Sequence, residues 1–120
     1  MLRNLVVKVT CGQDDPERAN QGLTVAATAA LAGAPVSLWL TGEAIWFAVV
    51  GRVPSLGLPE ATPANQLVDG VLAMGAVTVC TQCARRRGIE LEDLLPGARI
   101  AGAASFVEEI LADGVQAVVY

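Results

Sequence analysis

Two cysteines lie three positions apart in Cys80-Thr81-Gln82-Cys83, and they are the groups in this chain best suited to covalent chemistry. The thiolate, not the thiol, is the nucleophile. A helix start favours it through unpaired N–H groups and the positive end of the helix dipole. The segment follows a strand-like run and precedes Arg85, Arg86 and Arg87, which bring further positive charge. Such a thiol suits sulfur transfer or thiol–disulfide exchange. The plainer alternative is a pair of small, half-buried residues that only pack. A structural zinc site is disfavoured, because three cysteines and no histidine leave its fourth ligand missing. The absence of histidine also removes Ser-His-Asp and Cys-His catalysis.

Other candidates carry two readings each. Cys11 is either a resolving thiol or a buried strand-end residue. Arg86 and its neighbours either hold an anion or form a solvated helix C-terminus, where cations oppose the dipole. Glu43 reads more simply as a helix-start acid than as a site residue. Trp39, Trp46 and Phe47 read as core or subunit-interface anchors rather than a binding platform.

These groups depend on the elements that hold them. Leu5 to Thr10 reads as a buried strand. Asp15 and Pro16 then supply an N-cap and a first helical position. The helix they open places Ala19, Leu23, Ala26, Ala27, Ala30 and Leu31 on one stripe and ends at Gly33. Val36 to Leu40 is a second strand, followed by a short helix around Ala44 to Val50. Gly51 to Pro63 is a loop. Thr62-Pro63 repeats the cap-and-proline signal for a helix that carries Leu67, Val68, Val71 and Leu72 and stops at Gly75. Ala76 to Val79 is a third strand ending at Cys80, and a short helix over Thr81 to Arg87 ends at Gly88. Ile89 to Pro96 reads as a turn of helix and a loop, and Arg99 to Ala101 as a short strand. Ala104 to Asp113 is a last helix, with Phe106, Val107, Ile110 and Leu111 facing inward and Gly114 as its cap. Val115 to Val119 is the final strand.

Strands alternating with helices predict an α/β fold: one domain over residues 1–120, a three-layer sandwich with a mainly parallel sheet of about five strands and helices on both faces. Functional groups in such sheets gather at the carboxyl ends of the strands. In the common strand order 2-1-3-4-5, the strands leading to Cys11 and Cys80 are neighbours, which would bring all three cysteines to one edge.

Composition narrows the partners. The chain is 53% hydrophobic and 17% charged, against about 25% charged in a typical soluble domain. That apolar excess predicts a homo-oligomer, the competing reading being that it is mostly alanine, which is only weakly apolar. The net charge of −4, with no basic stripe beyond Arg85–Arg87, argues against nucleic acid. No charged residue occurs between Arg18 and Glu43, yet Gly33-Ala34-Pro35 divides that stretch into helix, turn and strand rather than a membrane span. The first residues run into a strand with no signal-type apolar block, so a reducing cytoplasm is expected.

The segment Val77-Thr78-Val79-Cys80-Thr81-Gln82-Cys83-Ala84-Arg85-Arg86-Arg87-Gly88-Ile89 resembles the hallmark of the DsrE/DsrF-like sulfur-relay family, whose members include TusD and YchN types. There a strand leads into a cysteine-bearing helix start that closes on an Arg-Gly pair. TusD-type members place their sulfur-carrying cysteine eight residues before that glycine, the position of Cys80. YchN-like members also carry one five residues before it, the position of Cys83. The likeness extends more loosely to the opening strand, turn and helix and to Gly97–Ala103. The resemblance implies a parallel-sheet sandwich, trimers or hexamers, and a persulfide passed between cysteines of donor and acceptor proteins, without a cofactor. The expectation is a sulfur carrier in which Cys80 or Cys83 bears the sulfur and the other can resolve it as a disulfide. The alternative is a non-enzymatic scaffold or redox-sensing protein of the same fold. A thioredoxin-like oxidoreductase is disfavoured, because Val79 rather than Trp precedes Cys80.

Overall fold

Short apolar strands alternating with amphipathic helices can hide both sheet faces only by stacking helices on each side. The computed structural model describes residues 2–120; Met1, where the expected domain begins, lies outside them. The elements run β1 (Asn4–Val9), α1 (Pro16–Leu31), β2 (Val36–Leu40), a 3₁₀ helix (Gly42–Ala48), α2 (Ala64–Met74), β3 (Ala76–Cys80), α3 (Thr81–Arg86), a 3₁₀ turn (Leu91–Asp93), β4 (Arg99–Ala101), α4 (Ala103–Ile110) and β5 (Val115–Val119). Asp15 caps α1 by accepting from the Arg18 N–H, with Pro16 in the first turn. The charge-free stretch after Arg18 is α1, a turn and β2, and among the described residues no helix is long and apolar enough to cross a membrane.

Three local expectations are corrected. The helix expected over Ala44–Val50 is 3₁₀ and begins at Gly42, whose φ of +55° starts the turn early. Pro63 itself occupies the cap of α2, so the Thr62 hydroxyl makes no capping bond. Val107 of α4 and Leu111, the residue that caps it, do not face inward; they are 45% and 76% exposed. That helix covers a sheet face that is largely polar, so of the four expected inward residues only Phe106 and Ile110 are partly buried.

All five strands are parallel, in the order β4-β3-β2-β1-β5. This corrects the expected 2-1-3-4-5. The chain adds β2, β3 and β4 stepwise to one side of β1, then crosses back through α4 to lay β5 on the other. β2 therefore separates β1 from β3, and Cys11 and Cys80 do not follow neighbouring strands.

The two sheet faces differ in chemistry. One carries Val7, Val9, Val36, Leu38, Leu40, Val77 and Val79, all within the apolar core that includes the alanine stripe of α1 and Leu67, Val68 and Val71 of α2. Small residues let α1 lie close: a Cβ on Gly22 would stand 2.6 Å from a Val9 methyl. Strand alternation puts Lys8, Ser37, Trp39 and Thr78 on the opposite face. Trp39 is buried there, edge-on to Phe106 of α4. Glu109 of α4 accepts from Ser37 Oγ (2.6 Å), Trp39 Nε1 (3.2 Å) and Arg99 Nη2 (2.6 Å), and Arg99 Nε donates to Thr78 Oγ1 (2.6 Å).

Glu109→Ala strips three donors of their acceptor, two of them in partly buried surroundings. It is expected to lower unfolding stability by about 1–3 kcal/mol. Glu108→Ala, at an exposed neighbour, should change it by less than about 0.5 kcal/mol. Urea denaturation of both variants checks this, and equal losses would contradict it.

Candidate functional site

The site begins with a strand whose middle is fully buried. Val77, Thr78 and Val79 have no exposed surface, so the end of β3 is rigidly placed. Cys80 pairs with Ala101 of β4, keeps an extended backbone (φ −63°, ψ 127°), and is the residue from which α3 starts. It is partly exposed, whereas Cys83, one turn on, is buried. All three cysteines are free thiols.

Loops from two other strand ends close around α3. The Gly42 N–H, just after β2, donates to Cys83 Sγ at 3.2 Å. Close backbone packing makes this approach feasible: a Cβ on Gly42 would stand 2.7 Å from the Thr10 carbonyl oxygen, and one on Gly12 2.7 Å from that of Glu43. The ion pair Arg87 Nε–Glu43 Oε2 (2.9 Å) ties the end of α3 to the same loop, and Arg87 Nη1 donates to the Cys83 carbonyl at 3.1 Å. That pair is partly exposed, so its contribution is about 0.2–1 kcal/mol and its main effect is positional.

Burial pushes the Cys80 thiol up, but the Cys83 N–H, the Cys83 thiol, the Gln82 N–H and the charge of Lys8 together outweigh it. The Cys80 thiol lies below its ordinary pKa. None of these donors forms an aligned capping bond to the neutral Cys80 side chain; sulfur is a weak acceptor until it is charged. Donors to the anion are what set this sulfur apart from Cys11. Cys11 is the opposite case. Burial first, then the charges of Asp15 and Asp14, push its thiol up, with Arg18 only partly opposing.

The structure therefore joins two of the expected residues and separates the others. Cys80 and Cys83 interact. Cys11 sits in the apolar core at the end of β1, with Asp14 and Asp15 rather than the other thiols shaping its acidity. Arg86 is exposed and, among the described residues, makes no ion pair or side-chain hydrogen bond, as a solvated helix end should. Arg87 is the anchored arginine of the triplet. Glu43 is its partner rather than a lone helix-start acid. Sequence reasoning also passed over Lys8. The signal was available: one cation in an otherwise apolar strand, Leu5-Val6-Val7-Lys8-Val9. Trp39 and Phe47 are core residues, while Trp46 is half-buried beneath the Arg52 guanidinium, 4.1 Å from the ring centroid. The loop after Gly51 lines a cavity of about 310 Å³ with Asn20, and no cysteine lines that cavity. Among the described residues, no cluster of three acidic or cysteine side chains could hold a metal ion.

The family model described as the DsrE/DsrF-like family matches residues 4–119. An uncharacterised protein of Methanocaldococcus jannaschii is 35% identical over 86 residues, which cover 71% of this chain and 72% of that protein. The fold matches the crystal structure of the YchN protein of E. coli, with a TM-score of 0.77, 20% identity, and coverage of 98% of this chain and 100% of the other. It also matches a protein of unknown function from Methanobacterium thermoautotrophicum, with a TM-score of 0.74, 11% identity, and coverage of 98% and 99%.

Thiolate content governs alkylation. A lowered pKa leaves more Cys80 thiolate at any pH below the usual thiol range, and a raised one leaves less at Cys11. With iodoacetamide at pH 7, Cys80 is expected to react at least about tenfold faster than Cys11, with Cys11 reacting freely only in denaturant. Fragment mass spectrometry over time checks this; comparable rates at the two thiols in the folded protein would contradict it.

Proposed function

We propose that this chain, which belongs to the DsrE/DsrF-like family, carries sulfane sulfur as a persulfide on Cys80 and passes it to a partner protein. The observation that carries the reading is the partly exposed Cys80 sulfur with its anion favoured by neighbouring donors, beside a second thiol. Family membership adds to it, because sulfur relay is common among these proteins. The Cys80 thiolate attacks the outer sulfur of a donor persulfide. A new S–S bond forms, the donor S–S bond breaks, and the electron pair leaves on the donor thiolate. Delivery reverses the roles: an acceptor thiolate takes the outer sulfur and Cys80 leaves as thiolate, the better leaving group for its low pKa.

Cys83 has a supporting role and a second chemistry. Its thiol is a donor to the Cys80 anion. Once deprotonated, it can attack Cys80 Sγ, forming the Cys80–Cys83 disulfide and expelling hydrosulfide. An external dithiol must then reduce the disulfide before another cycle. Neither step needs a bound cofactor. Free thiols of this kind suit a reducing cytoplasm. Self-association as a trimer or hexamer is part of the proposal. Val107, Leu111 and Val119 supply exposed apolar surface on α4 and β5, with no buried residue in α4.

Incubation with thiosulfate and a rhodanese is expected to add about 32 Da, one sulfur atom, to the wild type. Cys80→Ser should abolish the adduct. Cys83→Ser should retain it and release less sulfide over time. An adduct that survives Cys80→Ser, or no adduct on any variant with both thiols alkylatable, would overturn the assignment. For self-association, light scattering should give a multiple of the 12.4 kDa chain mass, and Leu111→Glu with Val107→Glu should return the monomer.

A further inference from the structure

Lys8 has a position that the fold alone does not require. The registers Lys8↔Trp39 and Trp39↔Thr78 align it with Thr78 across three strands, on the face opposite the apolar core. Cys80 is two residues beyond Thr78 on β3, so its side chain projects to that same face, one pleat nearer the carboxyl edge. The Lys8 ammonium is held 4.7 Å from the centroid of the Phe106 ring, which faces it from α4. Among the described residues it makes no salt bridge.

Other charges near this face are already matched or solvated. Glu109, on α4, is occupied by Ser37, Trp39 and Arg99. Arg99, on β4, spends its guanidinium on Glu109 and Thr78. Glu108 on α4 and Arg85 and Arg86 on α3 are exposed. Arg87 is paired with Glu43. Tyr120, beyond β5, turns its ring toward Gly22 of α1, and Cys83 is the neighbouring thiol. Lys8 is thus a half-buried cation without a carboxylate, on the face that carries the reactive sulfur. The ring of Phe106 offers a weak attraction of about 0.5–1 kcal/mol and no counter-charge.

We propose that Lys8 is a positioning residue whose ammonium stabilises the anion on Cys80, thiolate or persulfide, from across the sheet. The inference rests on Cys80 as the sulfur-bearing residue.

The test is the pH profile of Cys80 alkylation in the full-length protein, read by fragment mass spectrometry in wild type, Lys8→Gln, Lys8→Met and Lys8→Arg. Removing the charge should move the midpoint to higher pH and slow alkylation at pH 7 about threefold. Lys8→Arg should restore most of the wild-type profile, and raising the salt should narrow the gap. A structural role for the lysine stem would leave the midpoint in place, because Met preserves the apolar packing. Superimposable profiles for wild type, Lys8→Gln and Lys8→Met, or a shift in Lys8→Arg as large as in Lys8→Met, would overturn the proposal. The profile needs no sulfur transfer. A shifted midpoint with no persulfide formed supports Lys8 and refutes the carrier reading, whereas persulfide loading with an unshifted midpoint does the reverse.

Discussion

The thiol edge of this molecule depends on a hydrogen bond from the Gly42 N–H to Cys83 Sγ, 3.2 Å long, which acts beside the Glu43–Arg87 ion pair. It joins the loop after β2 to the helix after β3, and it works only because both loops come unusually close. Gly42 adopts a positive φ against the Thr10 carbonyl, and Gly12 lies against that of Glu43. Three strand ends are thereby drawn into contact. A Cβ at either glycine would push the loops apart and free Cys83. Its thiol would then lose its fixed place beside Cys80. A weak hydrogen bond to sulfur thus helps to order groups whose chemistry depends on sub-ångström placement.

The sheet divides its labour by face. The side under α1 and α2 is apolar throughout and gives the strands their rigidity. The side under α4 is built from Lys8, Ser37, Trp39 and Thr78, and its cohesion comes from hydrogen bonds that converge on Glu109. Such a polar layer contributes modestly to stability when satisfied and costs heavily when a member is removed. Charge near the thiol edge is its compensation. An entirely apolar second face would leave Cys80 its α3 donors but would remove Lys8, the one full charge that opposes the effect of burial there.

Local elements were legible in the sequence because their signals are local. Asp15-Pro16, the alanine stripe and Gly75 mark α1 and α2, and Val36–Leu40 and Val115–Val119 are strands as read. Strand order was not legible. It depends on which way each crossover carries the chain, and the resulting β2 between β1 and β3 removed Cys11 from the neighbourhood of Cys80. The inward stripe of α4 was misread for a related reason. Val107 and Leu111 have helical spacing, but spacing cannot tell whether the covered face is apolar. The Cys80-Thr81-Gln82-Cys83 pair was visible from residue type alone. Lys8 stood out as the one cation of an apolar strand, but its alignment with the Cys80 face, like the Glu43–Arg87 bond, needs a long-range register that no short motif encodes.

That register explains how an acidic chain can favour an anion. With a net charge of −4, the long-range field opposes a thiolate, so the local groups must prevail. Two of them are backbone N–H groups, which carry no titratable charge and are fixed by the start of α3. The third is the Cys83 thiol, fixed by Gly42. Lys8 is the only full charge among the groups that favour the Cys80 anion, and its freedom is secured indirectly. Arg99 holds Glu109 at 2.6 Å, so this α4 carboxylate is occupied by another cation. If Glu109 were released, it could pair with Lys8, and the ammonium would then serve the fold instead of the sulfur. The polar layer beneath α4 is thus part of the thiol's electrostatics as well as of the domain's cohesion.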